Sequence, residues 1–194
     1  MPATSDSLDP RPQFTAVLDQ VERQIEALTP DDLARPTPCA EYDVRTLLAH
    51  LVAVMRKLIR ANHGGDTTQV PDPADDLSGE EGEAFGKTRA ELEDVWAPDS
   101  ELAKSCTMPW GTLSGRELLD AYTHEFTVHS WDLSRATGRD DRLDPTLAQI
   151  ALDWYAENVA AEGRGEGGPF AQPVAVPADA DPYTRLAGYV GRQV

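Results

Sequence analysis

SGRELLDAYTHEFTVHSWDLSRATG, residues 114–138, is the stretch that fixes the reading of this chain. Ser114 and Glu117 form a Ser-x-x-Glu capping box, the arrangement that satisfies free amides at a helix start, and Gly138 suits a left-handed helix end. Between them, Leu118, Leu119, Tyr122, Phe126, Leu133 and Ala136 share one arc of a wheel turning about 100° per residue. Glu125 and His129 fall inside that arc, and their four-residue spacing lifts both side chains from the same face, one turn apart. His124 lies on the opposite face. A carboxylate aimed at an apolar interior costs several kcal/mol unless a cation, a hydrogen-bond network or protonation compensates it, and one divalent ion would satisfy Glu125 and His129 together.

The flanking sequence supplies more helices. Phe14, Val17, Leu18, Val21, Ile25 and Leu28 recur at three- and four-residue steps before Pro30, which predicts a first helix from about Gln13. After the proline-rich loop ARPTPCAEYD, 34–43, Asp43 is placed to cap a second helix. Its face carries Val44, Leu47, Leu48, Leu51, Met55, Leu58 and Ile59, and Gly64 and Gly65 close it. Residues 66–78 read as a polar loop, and Phe85, Leu92, Val95 and Trp96 as a weaker third helix stopped by Pro98. LAKSCTMPWGTLSG, 102–115, reads as a short hairpin or ordered loop. Beyond Gly138, Asp144 and Pro145 open a fifth helix through Leu147, Ile150, Ala151, Trp154, Tyr155 and Val159, ahead of the glycine-rich EGRGEGG, 162–168. From Pro169 the chain is irregular, with another short helix expected only at Pro182 to Tyr189. The expected organisation is a flexible leader, 1–12, a helical bundle, 13–165, and a C-terminal extension, 166–194, packed on it. So many helices with so little strand propensity predict an all-α bundle whose site is built from side chains on facing helices.

The second helix offers a third ligand. His50 sits at the flank of its apolar arc, beside Leu47 and Val54, so His50, Glu125 and His129 form a His2Glu set that leaves a coordination position for water or substrate. Zinc, nickel, iron and manganese all tolerate such donors. Asp132, three residues beyond His129, is positioned to orient an imidazole. The metal-free alternative is a Glu125 ion pair with Arg45, Arg56 or Arg135, with both histidines hydrogen-bonded in the core. His63, beside two glycines, reads as exposed, Cys39 first as a buried inert thiol, Tyr122 as core, and Trp131 as packed under the C-terminal segment or in a dimer contact.

Composition bounds the partners. Against 17 Lys plus Arg stand 34 Asp plus Glu, a net charge of −17 that repels phosphate backbones and anionic lipid, so neither nucleic acid nor membrane is expected as a partner. The opening MPATSDSLDPRPQ lacks the basic-then-apolar run of a signal peptide, which leads to the expectation of a cytoplasmic protein. Cys39 and Cys106 are too few and too far apart for a disulfide framework or a Cys-x-x-Cys motif.

TPCAEYDVRTLLAHLV, 37–52, and HEFTVHSWDLSRATG, 124–138, resemble the paired motifs of the DinB/YfiT-like metal-binding superfamily, in particular the N-terminal domain of mycothiol-dependent maleylpyruvate isomerase. The segment PFAQPVAVPADADPYTRLAGYVGR, 169–192, is similar to the closing segment of small single-domain members. The first family motif contributes a His in the middle of the second helix and the second a Glu-x-x-x-His before Trp-Asp-Leu, which match His50, Glu125 and His129. The resemblance implies an up-down-down-up four-helix bundle with an extra helix and an irregular C-terminal segment. It also implies a zinc-like ion, chemistry with a low-molecular-weight thiol such as mycothiol or bacillithiol, and homodimerisation. The isomerase resembles a two-domain protein, and the residues after 165 are too few for its second domain, so the expectation is thiol transfer to a small electrophile rather than maleylpyruvate isomerisation. A metal-dependent hydrolase and a non-catalytic metal- or ligand-binding stress protein are the alternatives.

Overall fold

Proline sets the first boundary: Pro10 precedes α1 (Arg11–Glu26), and Pro12 sits in its first turn, where a missing amide costs nothing. The helix thus begins two residues before the expected Gln13. The computed structural model describes residues 9–40, 42–139, 143–159, 164–165 and 170–194, so most of the leader and of the glycine-rich stretch 162–168 lie outside the described residues. Next come α2 (Val44–Asn62), α3 (Glu81–Trp96), the strands β1 (Ser105–Met108) and β2 (Gly111–Ser114), α4 (Gly115–Thr137), α5 (Pro145–Asn158) and α6 (Pro182–Tyr189). Asp43 caps α2 by accepting from the Thr46 amide at 2.8 Å, and Ser114 and Glu117 form the reciprocal box at the head of α4. The expected hairpin is the antiparallel pair β1–β2, with Ser105 opposite Ser114 and Met108 opposite Gly111.

Contacts at the helix ends give the directions. Arg45 at the start of α2 pairs with Glu81 at the start of α3, so these two run parallel, and the crossover between them occupies residues 63–80. Arg11 at the start of α1 reaches the carbonyl of Ala97 just past the end of α3, so α1 opposes α3. Phe14 packs edge-on against Phe126, and Gln24 donates to the Ser130 carbonyl at 3.0 Å, so α1 runs alongside α4. The result is the up-down-down-up bundle, all-α apart from the small hairpin.

The main core lies inside this frame, built on Val17, Leu18, Leu51, Met55, Leu58, Phe85, Leu92, Leu118, Leu119 and Phe126. A second core forms on the outer side of α4, where Val128 and Trp131 meet Ala148, Ala151 and Tyr155 of α5 and Tyr183, Leu186 and Ala187 of α6. Trp131 therefore takes the first of its two expected placements, beneath the C-terminal segment. Buried Gln20 joins the layers: its amide nitrogen donates to Ser130 Oγ at 2.8 Å and Tyr183 Oη at 2.7 Å, while its oxygen accepts from the Asp144 amide at 2.7 Å. Gly115 is the one residue that fits at the start of α4, because a Cβ there would strike the Glu101 carbonyl and the Trp96 ring. No helix among the described residues is long and apolar enough to cross a membrane.

Candidate metal centre

α2 and α4 run antiparallel, which brings the first half of α2 against the second half of α4. His50 Nε2 lies 3.3 Å from Glu125 Oε1, and the His50 and His129 rings meet edge to face with centroids 5.0 Å apart. One donor atom from each of His50, Glu125 and His129 falls within 4.8 Å of the others. The three residues singled out from sequence therefore converge, from two helices, on one point.

Each imidazole is held from behind by a carboxylate. Nδ1 of His50 faces Asp72 Oδ1 at 2.7 Å, and Nδ1 of His129 faces Asp132 Oδ2 at 3.0 Å. An ionised carboxylate only accepts, so both Nδ1 atoms carry hydrogen and donate, which leaves Nε2 of each ring as the atom that can offer a lone pair to an ion. Two imidazole nitrogens and one carboxylate oxygen, with the rings fixed in the correct tautomer, fit a divalent zinc-like ion by donor chemistry and leave room for an exogenous ligand.

The two braces differ. Asp132 is fully buried, and Arg192 donates to it from Nε at 3.0 Å and from Nη2 at 3.0 Å. Burial would raise this carboxyl's pKa, but the bonds from His129 and Arg192 outweigh it and hold it below the usual carboxylate range. Asp72 belongs to the α2–α3 crossover and is also paired with Lys57 Nζ at 2.6 Å. Sequence reasoning missed it, because a single Asp in a polar loop carries no periodic signal. Arg192, a lone cation after the apolar run of α6, was missed for the same reason.

Burial pulls the His50 pKa down, yet its bonds and charge interactions with Asp72 and Glu125 win and raise it from 6.5 to about 9. In the metal-free protein this pairing contributes stability that is full below about 6.5 and lost as pH rises through about 9. Binding an ion must displace that proton. Apparent metal affinity accordingly rises about tenfold per pH unit while pH stays below about 9. Competition titrations with a chromogenic chelator at pH steps across neutrality measure this slope, and a flat profile would show that no proton leaves.

The triad opens on a cavity of about 340 Å³. Val128 of α4, Tyr155 of α5, Phe170, Val190 and Arg192 of the C-terminal segment, and Cys39 and Tyr42 of the loop before α2 line it with the triad. Three expectations change here. Glu125 does not point into an apolar interior: its side chain is 32% exposed on the cavity wall, where solvent eases the cost of its charge. Cys39 is half-buried and lines the cavity rather than lying sealed in the core. The arginines weighed as partners for Glu125 are engaged elsewhere, Arg45 with Glu81, Arg56 with Asp76 and Arg135 over the Trp131 ring. His63 is exposed and Tyr122 is buried, as read. His124 is on the far face of α4, but that face is covered by α5, and the ring is 1% exposed.

Known proteins bear the family resemblance out. Two uncharacterised proteins of Mycobacterium tuberculosis, from strains CDC 1551 / Oshkosh and ATCC 25618 / H37Rv, are each 27% identical to this chain over 187 residues, covering 96% of it and 100% of the relative. No solved structure matches it. Residues 14–134, from the first turn of α1 nearly to the end of α4 and including all three ligand-type residues, match the model of the mycothiol maleylpyruvate isomerase N-terminal domain, and the chain belongs to that family.

Proposed function

We propose that the protein is a divalent-metal-dependent enzyme that transfers a low-molecular-weight thiol, mycothiol or a close analogue, to a small electrophile. The observation that carries this reading is the convergence of the three donor atoms within 4.8 Å on a cavity large enough for a small organic molecule. His50, Glu125 and His129 would hold the ion, zinc first among the metals this donor set suits. Such an ion supplies Lewis acidity that makes a thiol a thiolate at neutral pH.

The chain's own residues do the rest. Asp72 and Asp132 hold the two imidazoles through Nδ1, so that Nε2 of each ring is the atom available to an ion. Val128, Phe170 and Val190 make an apolar wall that takes the body of the electrophile and displaces water from beside the reacting atoms. Membership of a mycothiol isomerase domain family supports a thiol as co-substrate. Phe170, Val190 and Arg192 of the C-terminal segment line the cavity and so take part in choosing its substrate.

The test is turnover. Protein loaded with one equivalent of zinc and supplied with mycothiol should consume small electrophiles well above the uncatalysed rate, and His50→Ala should bring the rate back to background. Background rates across several thiols and several divalent metals would remove the thiol-transfer reading, and release of acid from an ester panel without thiol would put a hydrolase in its place.

A further inference from the structure

Tyr155 stands on α5, outside the four-helix frame, yet it lines the same cavity as the triad. The residue is 3% exposed. Its ring is held by three others, with centroids 6.4 Å from His124, 5.2 Å from Trp154 and 5.4 Å from Phe170. His124 and Trp154 lie 4.8 Å apart in turn, so the phenol cannot swing without displacing a packed aromatic cluster. Its hydroxyl nevertheless makes no hydrogen bond among the described residues and is not one of the sealed polar atoms, which leaves the cavity as the space it faces. A buried tyrosine hydroxyl ordinarily finds a partner, and phenylalanine would pack as well if packing were the whole role.

We propose that the Tyr155 hydroxyl donates a hydrogen bond to the carbonyl oxygen of the bound electrophile. The assignment rests on the thiol-transfer reading above. With an acceptor whose double bond is conjugated to that carbonyl, thiolate sulfur bonds to the β-carbon, the π pair moves through the α-carbon toward the carbonyl oxygen, and the proton given up by the thiol ends on the α-carbon, so nothing is oxidised or reduced. Tyr155 meets the oxygen as negative charge gathers on it, where a preorganised donor has its largest effect. Burial, reinforced by the charge of Glu125, keeps the phenol protonated far above neutral pH, so it serves as a donor and not as a base.

Tyr155→Phe removes one oxygen and keeps the ring. With mycothiol, the variant should lose about a hundredfold in kcat/KM toward benzalacetone, a carbonyl-conjugated acceptor, and change by no more than about threefold toward benzyl chloride, whose displacement puts no charge on oxygen. Its metal content should match wild type. Benzylacetone, the saturated and unreactive analogue, should bind the variant roughly three- to tenfold more weakly, with or without zinc, as read by titration calorimetry. Equal slowing toward both electrophiles, or none toward either, would overturn the assignment. If wild type turns over neither electrophile, the thiol-transfer reading has failed and benzylacetone decides alone: weaker binding to the variant upholds the donor, while unchanged binding, or none to wild type, overturns it.

Discussion

His129→Ala protein, purified untagged beside wild type, should carry less than about a tenth of the divalent metal that wild type holds near one equivalent, because removing a ligand must cost more than the roughly 10- to 100-fold that follows from losing a brace behind one. The variant keeps His50 Nε2 and Glu125 Oε1, which already lie 3.3 Å apart and can satisfy each other as an ion pair. Two donors so paired bind an ion poorly. The fold should survive, since His129 lines a cavity that solvent can fill, and Asp132 keeps both bonds from Arg192. Elemental analysis with far-ultraviolet circular dichroism separates loss of metal from loss of structure. Glu125→Gln should behave the same way, because the amide retains the shape but not the charge. Equal metal in wild type and both variants would leave the His50–Glu125 contact as an ordinary ion pair and remove the ion from the picture.

The helices were legible because their signals are local. Asp43, Ser114 with Glu117, and Asp144 each precede a run of apolar residues at helical spacing, and all three cap the helices they announce. The triad was legible because Glu125 and His129 share one face by arithmetic alone, and His50 lies on the flank of a second helix. The far side of α4 was not. Thr123, Thr127, Ser130 and Ser134 are buried there, and a hydrophobicity wheel reads them as a solvated face. The hydroxyls of Thr123 and Thr127 donate to carbonyls one turn back, at 2.8 Å each, and that of Ser130 to the Thr127 carbonyl at 2.8 Å. Polar groups satisfied within their own helix can be covered cheaply, so α4 is buried on two sides and His124 lies against Trp154. Asp72, Tyr155 and Arg192 depend on how a crossover, a fifth helix and a tail return to the bundle, which no local pattern encodes.

The tail's return gives the largest expected change in stability. Asp132→Ala should destabilise the protein by about 3–5 kcal/mol, because it leaves Arg192, whose side chain is 18% exposed, without its counter-charge, and His129 Nδ1 without its acceptor. For a chain of this size that lowers the thermal midpoint by roughly 6–20 °C. The native carboxyl titrates below its ordinary 3.8, so the deficit should be full above about 3.8 and shrink as pH falls through the depressed native value. Pairing the change with Arg192→Met should recover part of the loss, since the double variant buries no unmatched charge, and a double-mutant cycle reads that coupling directly. Additive losses would mean that the two residues do not act as a pair. The same variants connect the tail to the metal: with Asp132 gone, His129 loses the partner that fixes its tautomer, and zinc affinity should fall about 10- to 100-fold. Arg192→Met should show a smaller fall, because Asp132 then still accepts from His129 but is no longer held from the C-terminal side. A stability loss with unchanged affinity would confine the Arg192–Asp132 pair to folding; a joint loss would make the docking of residues 170–194 part of what holds the ligand in place.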